Sequence, residues 1–161
     1  MSIPVVYDTM LFLQAASRPD RTHATFRAIR ERSVTLCLSA RLLAEVRDVL
    51  TRAEVRAKFH ALVPEAVDAF IEDIAGLASL YDVIPAVFAW PAHPDDDHVF
   101  DLAIHARARY LVTWETRILN LATTASPAAQ TLRQLAPNLA IINPKAFADL
   151  IRAGLPDRER S

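Results

Sequence analysis

Five short apolar runs govern what this chain can fold into. Ile3 to Tyr7, Val34 to Leu38, Asp82 to Pro85, Tyr110 to Thr113 and Leu139 to Ile142 each read as a strand, and several are β-branched. Between them the apolar spacing turns helical. Ser39 can cap a helix in which Leu42, Leu43, Val46, Val49 and Leu50 share one apolar face. Pro64 opens another that runs to Leu80, with Val67, Phe70, Ile71, Ile74 and Leu77 turned inward. Further helices fit Asp20 to Glu31, Asp95 to Ala108, Pro127 to Leu135 and Pro144 to Ala153, the last ended by Gly154, and residues 51–62 continue helically. Strands separated by helices rather than by tight hairpins predict an α/β fold. It is a three-layer α/β/α sandwich around a mainly parallel central sheet of about five strands, Rossmann-like in outline. The functional crevice of such a sheet lies beyond the carboxyl ends of its strands.

Two glycines in 161 residues, Gly76 and Gly154, exclude the Gly-rich loops that cradle nucleotide phosphates. A hydrophobic fraction of 52% is enough for one real core, so residues 1–161 are expected to form a single domain. The formal net charge of -1 gives no global field that would mark a polyanion binder. Its distribution is uneven: residues 1–60 carry ten basic and six acidic side chains, and residues 61–161 carry eight and thirteen. Sixteen of the basic residues are Arg, whose planar fork suits phosphate, and a general codon bias toward Arg gives the same count. The lone cysteine, Cys37, lies inside an apolar run and reads as a buried strand residue, with no internal disulfide and no Cys metal cluster. The N-terminus lacks a basic n-region and Asp8 interrupts its apolar stretch, so neither signal peptide nor membrane span is expected, and the setting expected is reducing and cytoplasmic.

The acids are placed where chemistry is expected. Asp8 stands just past the carboxyl end of the first strand, and Glu115 comes two residues after Tyr110-Leu111-Val112-Thr113. Glu45 borders the apolar face of the helix after the second strand. Asp95-Asp96-Asp97 opens the helix before the fourth strand, where the helix dipole favours anions. Each acid alone is explained by capping, by solvent, or by a Glu115–Arg117 pair. Gathered together they would repel, and a divalent cation with oxygen preference would relieve that repulsion while activating a water for attack on a phosphodiester.

With these residues in view, the chain resembles the PIN-domain family, notably the toxin-like PIN proteins of prokaryotic toxin-antitoxin systems. Val5-Val6-Tyr7-Asp8-Thr9-Met10 resembles the family's opening strand followed by Asp-Thr-Asn. Ser39-Ala40-Arg41-Leu42-Leu43-Ala44-Glu45-Val46 resembles its Ser- and Glu-bearing helix. His93-Pro94-Asp95-Asp96-Asp97-His98 with Ala103 resembles Asp-Pro-Asp-Asp-Asn and the helical Ala after it, and Leu111-Val112-Thr113-Trp114-Glu115 resembles Leu-Val-Thr-Gly-Asp. The likeness spans roughly residues 3–150. It implies a Mg²⁺- or Mn²⁺-dependent endoribonuclease in which Asp8, Glu45, Asp96 and Glu115 hold metal and orient water, while Thr113 hydrogen-bonds an acid or that water. It also implies an RNA substrate and a cognate antitoxin as partner. Three positions depart: Met10 stands for a polar Asn, Glu115 for Asp, and His93 for the first Asp of the third motif. The first two support an alternative, a catalytically weak or silent PIN-fold protein-binding module.

A phosphoacceptor receiver, with Asp8, Thr113 and Lys145 at strand ends, is the rival from another class, although Thr9-Met10 comes after Asp8 where a receiver has adjacent acids. His60, His98 and His105 lack the clustering of zinc ligands and read as helix-surface residues. Asp97 reads as a cap or a supporting acid. Arg18, Arg21, Arg47 and Arg52 fit an RNA groove or a solvated face equally. Trp90 and Trp114 flank the acidic motifs, and partial burial is expected of each over base stacking. The apolar helix from Pro64 to Leu80 is expected to pair two subunits into a homodimer.

Overall fold

A computed structural model describes residues 2–155. Strand β1 (Ile3–Tyr7) leads into α1 (Thr9–Ser17) and α2 (Ala24–Arg30), β2 (Val34–Ser39) into α3 (Ala40–Thr51), α4 (Ala53–Lys58) and α5 (Pro64–Leu77). After β3 (Ser79–Tyr81) comes a long irregular segment, a 3-10 turn at Pro94–Asp96 and α6 (Asp97–His105). The chain continues through β4 (Tyr110–Val112), α7 (Thr116–Leu119), a second 3-10 turn at Asn120–Ala122, α8 (Pro127–Leu135), β5 (Ala140–Ile142) and α9 (Pro144–Ala153).

All strand pairings are parallel, in the order β3-β2-β1-β4-β5. Because helices cover both faces, consecutive residues of the inner strands are equally hidden: Val5, Val6 and Tyr7 of β1, Leu36, Cys37 and Leu38 of β2, and Leu111 and Val112 of β4 are all fully buried. That is the three-layer α/β/α arrangement the alternating pattern predicts. Cys37 is the buried strand residue expected, and burial pushes its thiol up to about 11, which leaves it unreactive near neutral pH.

Helix starts are fixed by short polar side chains. Ser39 Oγ accepts from Leu42 N at 3.0 Å, Ser126 Oγ from Ala129 N at 3.2 Å and Asn143 Oδ1 from Ala146 N at 2.8 Å. Proline occupies the first turn of α5, α8 and α9, where its missing N–H costs nothing. Gly154, at φ +84°, ends α9 as its position after Ala153 predicts.

Five expectations are corrected. The third strand is Ser79–Tyr81 and not Asp82 to Pro85: β3 takes its register from Cys37, Leu38 and Ser39, and α5 accordingly stops at Leu77 instead of Leu80. The helical stretch over residues 51–62 is broken at Arg52 (ψ 138°) into α3 and the short α4. The helices expected from Asp20 and Asp95 begin at Ala24 and Asp97, with a 3-10 turn before the latter.

The order of the sheet determines where a site lies. The chain runs outward through β2 and β3, then returns to place β4 on the other side of β1. The β1–β4 pair is therefore the topological switch point, and its carboxyl end opens a crevice between diverging connections. A receiver-type sheet has a different order, 2-1-3-4-5, so the receiver reading does not survive the topology.

Candidate active site

Asp8 leaves β1 at that switch point. Its N–H still donates to Val112 O of β4 at 3.0 Å, so the backbone is pinned by the sheet while the side chain caps α1. Asp8 Oδ1 accepts from Thr9 N at 2.7 Å, and Asp8 Oδ2 accepts from the Thr113 hydroxyl at 2.9 Å. Thr113 is fully buried just past β4, with its N–H on Ile142 O, and its Oγ1 accepts in turn from Glu115 N at 2.9 Å. One hydroxyl thus ties the first strand's acid to the backbone of the acid after the fourth.

Electrostatics in this corner are unbalanced. Burial raises the Asp8 pKa above the usual carboxylate value, the bonds from Thr113 and Thr9 N pull it back, and the charges of Glu115 and Asp96 raise it again. Arg117 is the compensating cation. Its Nε donates to Asp96 Oδ2 at 3.1 Å and its Nη1 to Glu115 Oε2 at 2.8 Å. The guanidinium pKa is raised first by the bond to Asp96, against a lowering by burial, with further help from the charges of Asp96, Glu115 and Asp8. Asp8, Asp96 and Glu115 therefore form one electrostatic group around a single Arg.

Glu45 is held differently. His98, on α6, is buried rather than on the helix surface as its isolation in the sequence suggests, and its Nε2 donates to Glu45 Oε1 at 2.7 Å. Its Nδ1 is the one buried side-chain nitrogen or oxygen among the described residues without a hydrogen-bond partner. His60 and His105 are exposed, as expected. Asp97 is engaged elsewhere: its Oδ1 accepts from Trp90 N at 2.8 Å and anchors the segment between β3 and α6. Asp95 is exposed.

The basic residues weighed for a groove are largely engaged: Arg47 Nη1 donates to Asp68 at 2.6 Å, Arg52 Nη2 to Asp48 at 2.7 Å, and the Arg18 guanidinium lies 5.9 Å from the Phe59 ring centroid. Trp90 is buried against Phe100, while Trp114 is only partly buried and stays 45% exposed. Beside the acids lies an open groove of about 340 Å³ lined by Met10, Gln14, Trp114, Glu115, Thr116 and Arg117. Arg117 and His98 are the two residues that sequence reasoning undervalued; the i, i+2 spacing of Glu115 and Arg117 was the visible sign of the first.

Among the described residues no three His, Cys, Asp or Glu side chains stand ready to enclose a metal ion. Mg²⁺ does not require such a cage. It keeps several waters and binds through one or two carboxylates plus substrate phosphate, so a half-buried Asp8 beside two further carboxylates has the donor chemistry to fit it.

A family model described as PIN domain matches residues 4–117, which contain every residue of this site. No curated protein and no solved structure matches the chain.

Proposed function

The chain belongs to the PIN-domain family, whose members are generally nucleases, and from that membership we propose that it is a Mg²⁺- or Mn²⁺-dependent endoribonuclease. The observation that carries the reading is Asp8, desolvated at the switch point and crowded by Asp96 and Glu115 with one Arg among them. Asp8 with one of Asp96 and Glu115 would hold the ion directly, and the remaining acids, Glu45 among them from its bond to His98, would act through its waters. When bound, that ion supplies an activated water and neutralises charge that develops on the phosphodiester.

The protein's own groups do the positioning. Thr113 and the Thr9 N–H each hold one oxygen of Asp8, which leaves both oxygens with lone pairs to spare and no freedom to turn. Arg117 keeps Asp96 and Glu115 oriented toward one point, and its fork is suited to a substrate phosphate. The substrate is RNA, the protein is the toxin of a toxin-antitoxin pair, and a cognate antitoxin acts as its partner in the cytoplasm. Residues 1–161 work as one domain. No helix among the described residues is long and apolar enough to cross a membrane.

Arg117 also favours a second reading. A cluster already neutralised by its own cation is consistent with a catalytically silent binding module. Incubation of single-stranded RNA with the protein in Mg²⁺, in Mn²⁺ and in EDTA separates the two: slow cleavage with either metal, abolished by EDTA and by Asp8→Asn, is the expected result. Metal-independent cleavage that survives Asp8→Asn would sink the proposal, and no cleavage under any condition would leave the silent module. A protein encoded beside this one should co-purify with it and suppress the cleavage.

A further inference from the structure

Met10 and Trp114 are large apolar side chains left exposed, at 39% and 45%, and both line the groove beside the acids. The exposure of Trp114 is not slack. Its indole N–H donates to Gln14 Oε1 of α1 at 3.1 Å, a contact between residues 100 apart in sequence, so the ring is tethered at its polar edge. Its chain neighbours are fixed as well: Thr113 is buried and bonded to Asp8, and the Glu115 N–H is bonded to Thr113. A rigidly mounted, exposed indole between two residues of an acidic site is the arrangement on which an unpaired nucleobase stacks.

We infer that Trp114 is the stacking platform for one unpaired base of a single-stranded RNA, with Met10 as a second apolar residue lining the groove. The volume of about 340 Å³ lies in the range of small-ligand sites, and its walls combine two apolar side chains with a few polar ones. A base placed there sets its own phosphate near Arg117 and Glu115, at the edge of the acid group. Duplex RNA is excluded because its bases have no free face to offer. The departure at Met10 becomes useful on this view, since a polar Asn would give the base no apolar wall. The inference rests on the ribonuclease reading for the identity of the polymer, and it stands or falls separately on binding.

The protein has two tryptophans, and Trp90 is buried against Phe100, so Trp90→Phe leaves Trp114 as the sole indole reporter. That variant is titrated in EDTA, where no cleavage intervenes, with a short single-stranded oligoadenylate and with the same strand annealed to its complement. Saturable quenching by the single strand and not by the duplex is expected. Anisotropy of labelled RNA should show affinity weakened about tenfold in Trp114→Leu and nearly retained in Trp114→Phe. Gln14→Ala, which frees the ring without removing it, should weaken binding less than Trp114→Leu and gives an independent check should the leucine variant fold poorly. RNA binding with no quenching and with unchanged affinity in Trp114→Leu would overturn the inference while the ribonuclease reading survived. Quenching without metal-dependent cleavage would uphold the stacking site and sink the ribonuclease reading, and failure of the parent protein to bind single-stranded RNA would sink both.

Discussion

At the scale of single residues, the least compensated charge sits on Asp8. Asp96 and Glu115 are bonded to Arg117, whereas Asp8 feels that cation only through space, is desolvated and receives hydrogen bonds from neutral donors alone. A carboxylate whose folded pKa is raised binds its proton more tightly in the native state, so its contribution to stability is present below the unfolded value of 3.8 and is lost as pH rises through the folded value. Metal-free protein should accordingly lose stability from the ordinary carboxylate range upward, and Asp8→Asn should remove that part of the slope and gain on the order of 1 kcal/mol at neutral pH. Urea melts in EDTA across that range check it; an Asp8→Asn curve parallel to the parent's would refute the assignment. Asp96→Asn should not gain, because it gives up part of a bridge to Arg117. Arg117→Gln should behave in the opposite sense, destabilised in EDTA by three facing carboxylates and raised more by Mg²⁺ than the parent is, since binding to the folded state stabilises by mass action. Thermal melts with and without Mg²⁺ decide, and an equal response would show that Arg117 and the ion do not meet at the same acids. The strand-end acids and Thr113 were legible in sequence because strand ends are. The pairing of Arg117 with Asp96 and of His98 with Glu45 was not, since 21 and 53 residues separate the partners and only the fold closes those distances.

At the scale of elements, β1, β2, β4 and β5 were legible to within a residue because each is an apolar run bounded by polar residues. The β3 region was not. Val83 and Ile84 look like a strand by composition, yet Val83 is 83% exposed and Pro85 brings no N–H, while Ser79–Tyr81 meets β2 in register. The irregular segment between β3 and the 3-10 turn is held by α6 instead: Asp101, buried, accepts from Val87 N and Phe88 N, both at 2.9 Å, and Asp97 accepts from Trp90 N one turn earlier. Two acids at i and i+4 of one helix thus replace a strand's ladder for this segment. Asp101→Ala leaves two backbone donors unmet, one of them buried, and should cost about 2–3 kcal/mol, more than Asp97→Ala. Urea unfolding monitored by circular dichroism measures both; a loss below that of Asp97→Ala would show that the segment is held by the packing of Phe88 and Trp90 rather than by these bonds.

At the scale of the whole molecule, the alternation of strands and helices carried the layers and the parallel sheet, but the order β3-β2-β1-β4-β5 was beyond it, because crossover direction leaves no local trace in composition. That order makes β3 an edge strand with one side of its backbone unpaired by the sheet. Edges are ordinarily guarded by Lys, Pro or a covering element. Here Leu80 is 58% exposed on the strand itself, Leu77 stands exposed at the end of α5 before it and Val83 after it, and the nearest charged residue along the chain is Asp82. A second copy of the chain is the expected cover, with α5 joining the contact, since three strand residues fall short of the roughly 800 Å² per partner of a stable interface. A homodimer is therefore expected by light scattering at micromolar concentration. Leu80→Lys should shift it to monomer while leaving the unfolding free energy of the monomer within about 0.5 kcal/mol, because an exposed position away from the core carries little of it. A parent protein that stays monomeric would remove the dimer, and a Leu80→Lys variant that stays dimeric would move the interface away from this edge.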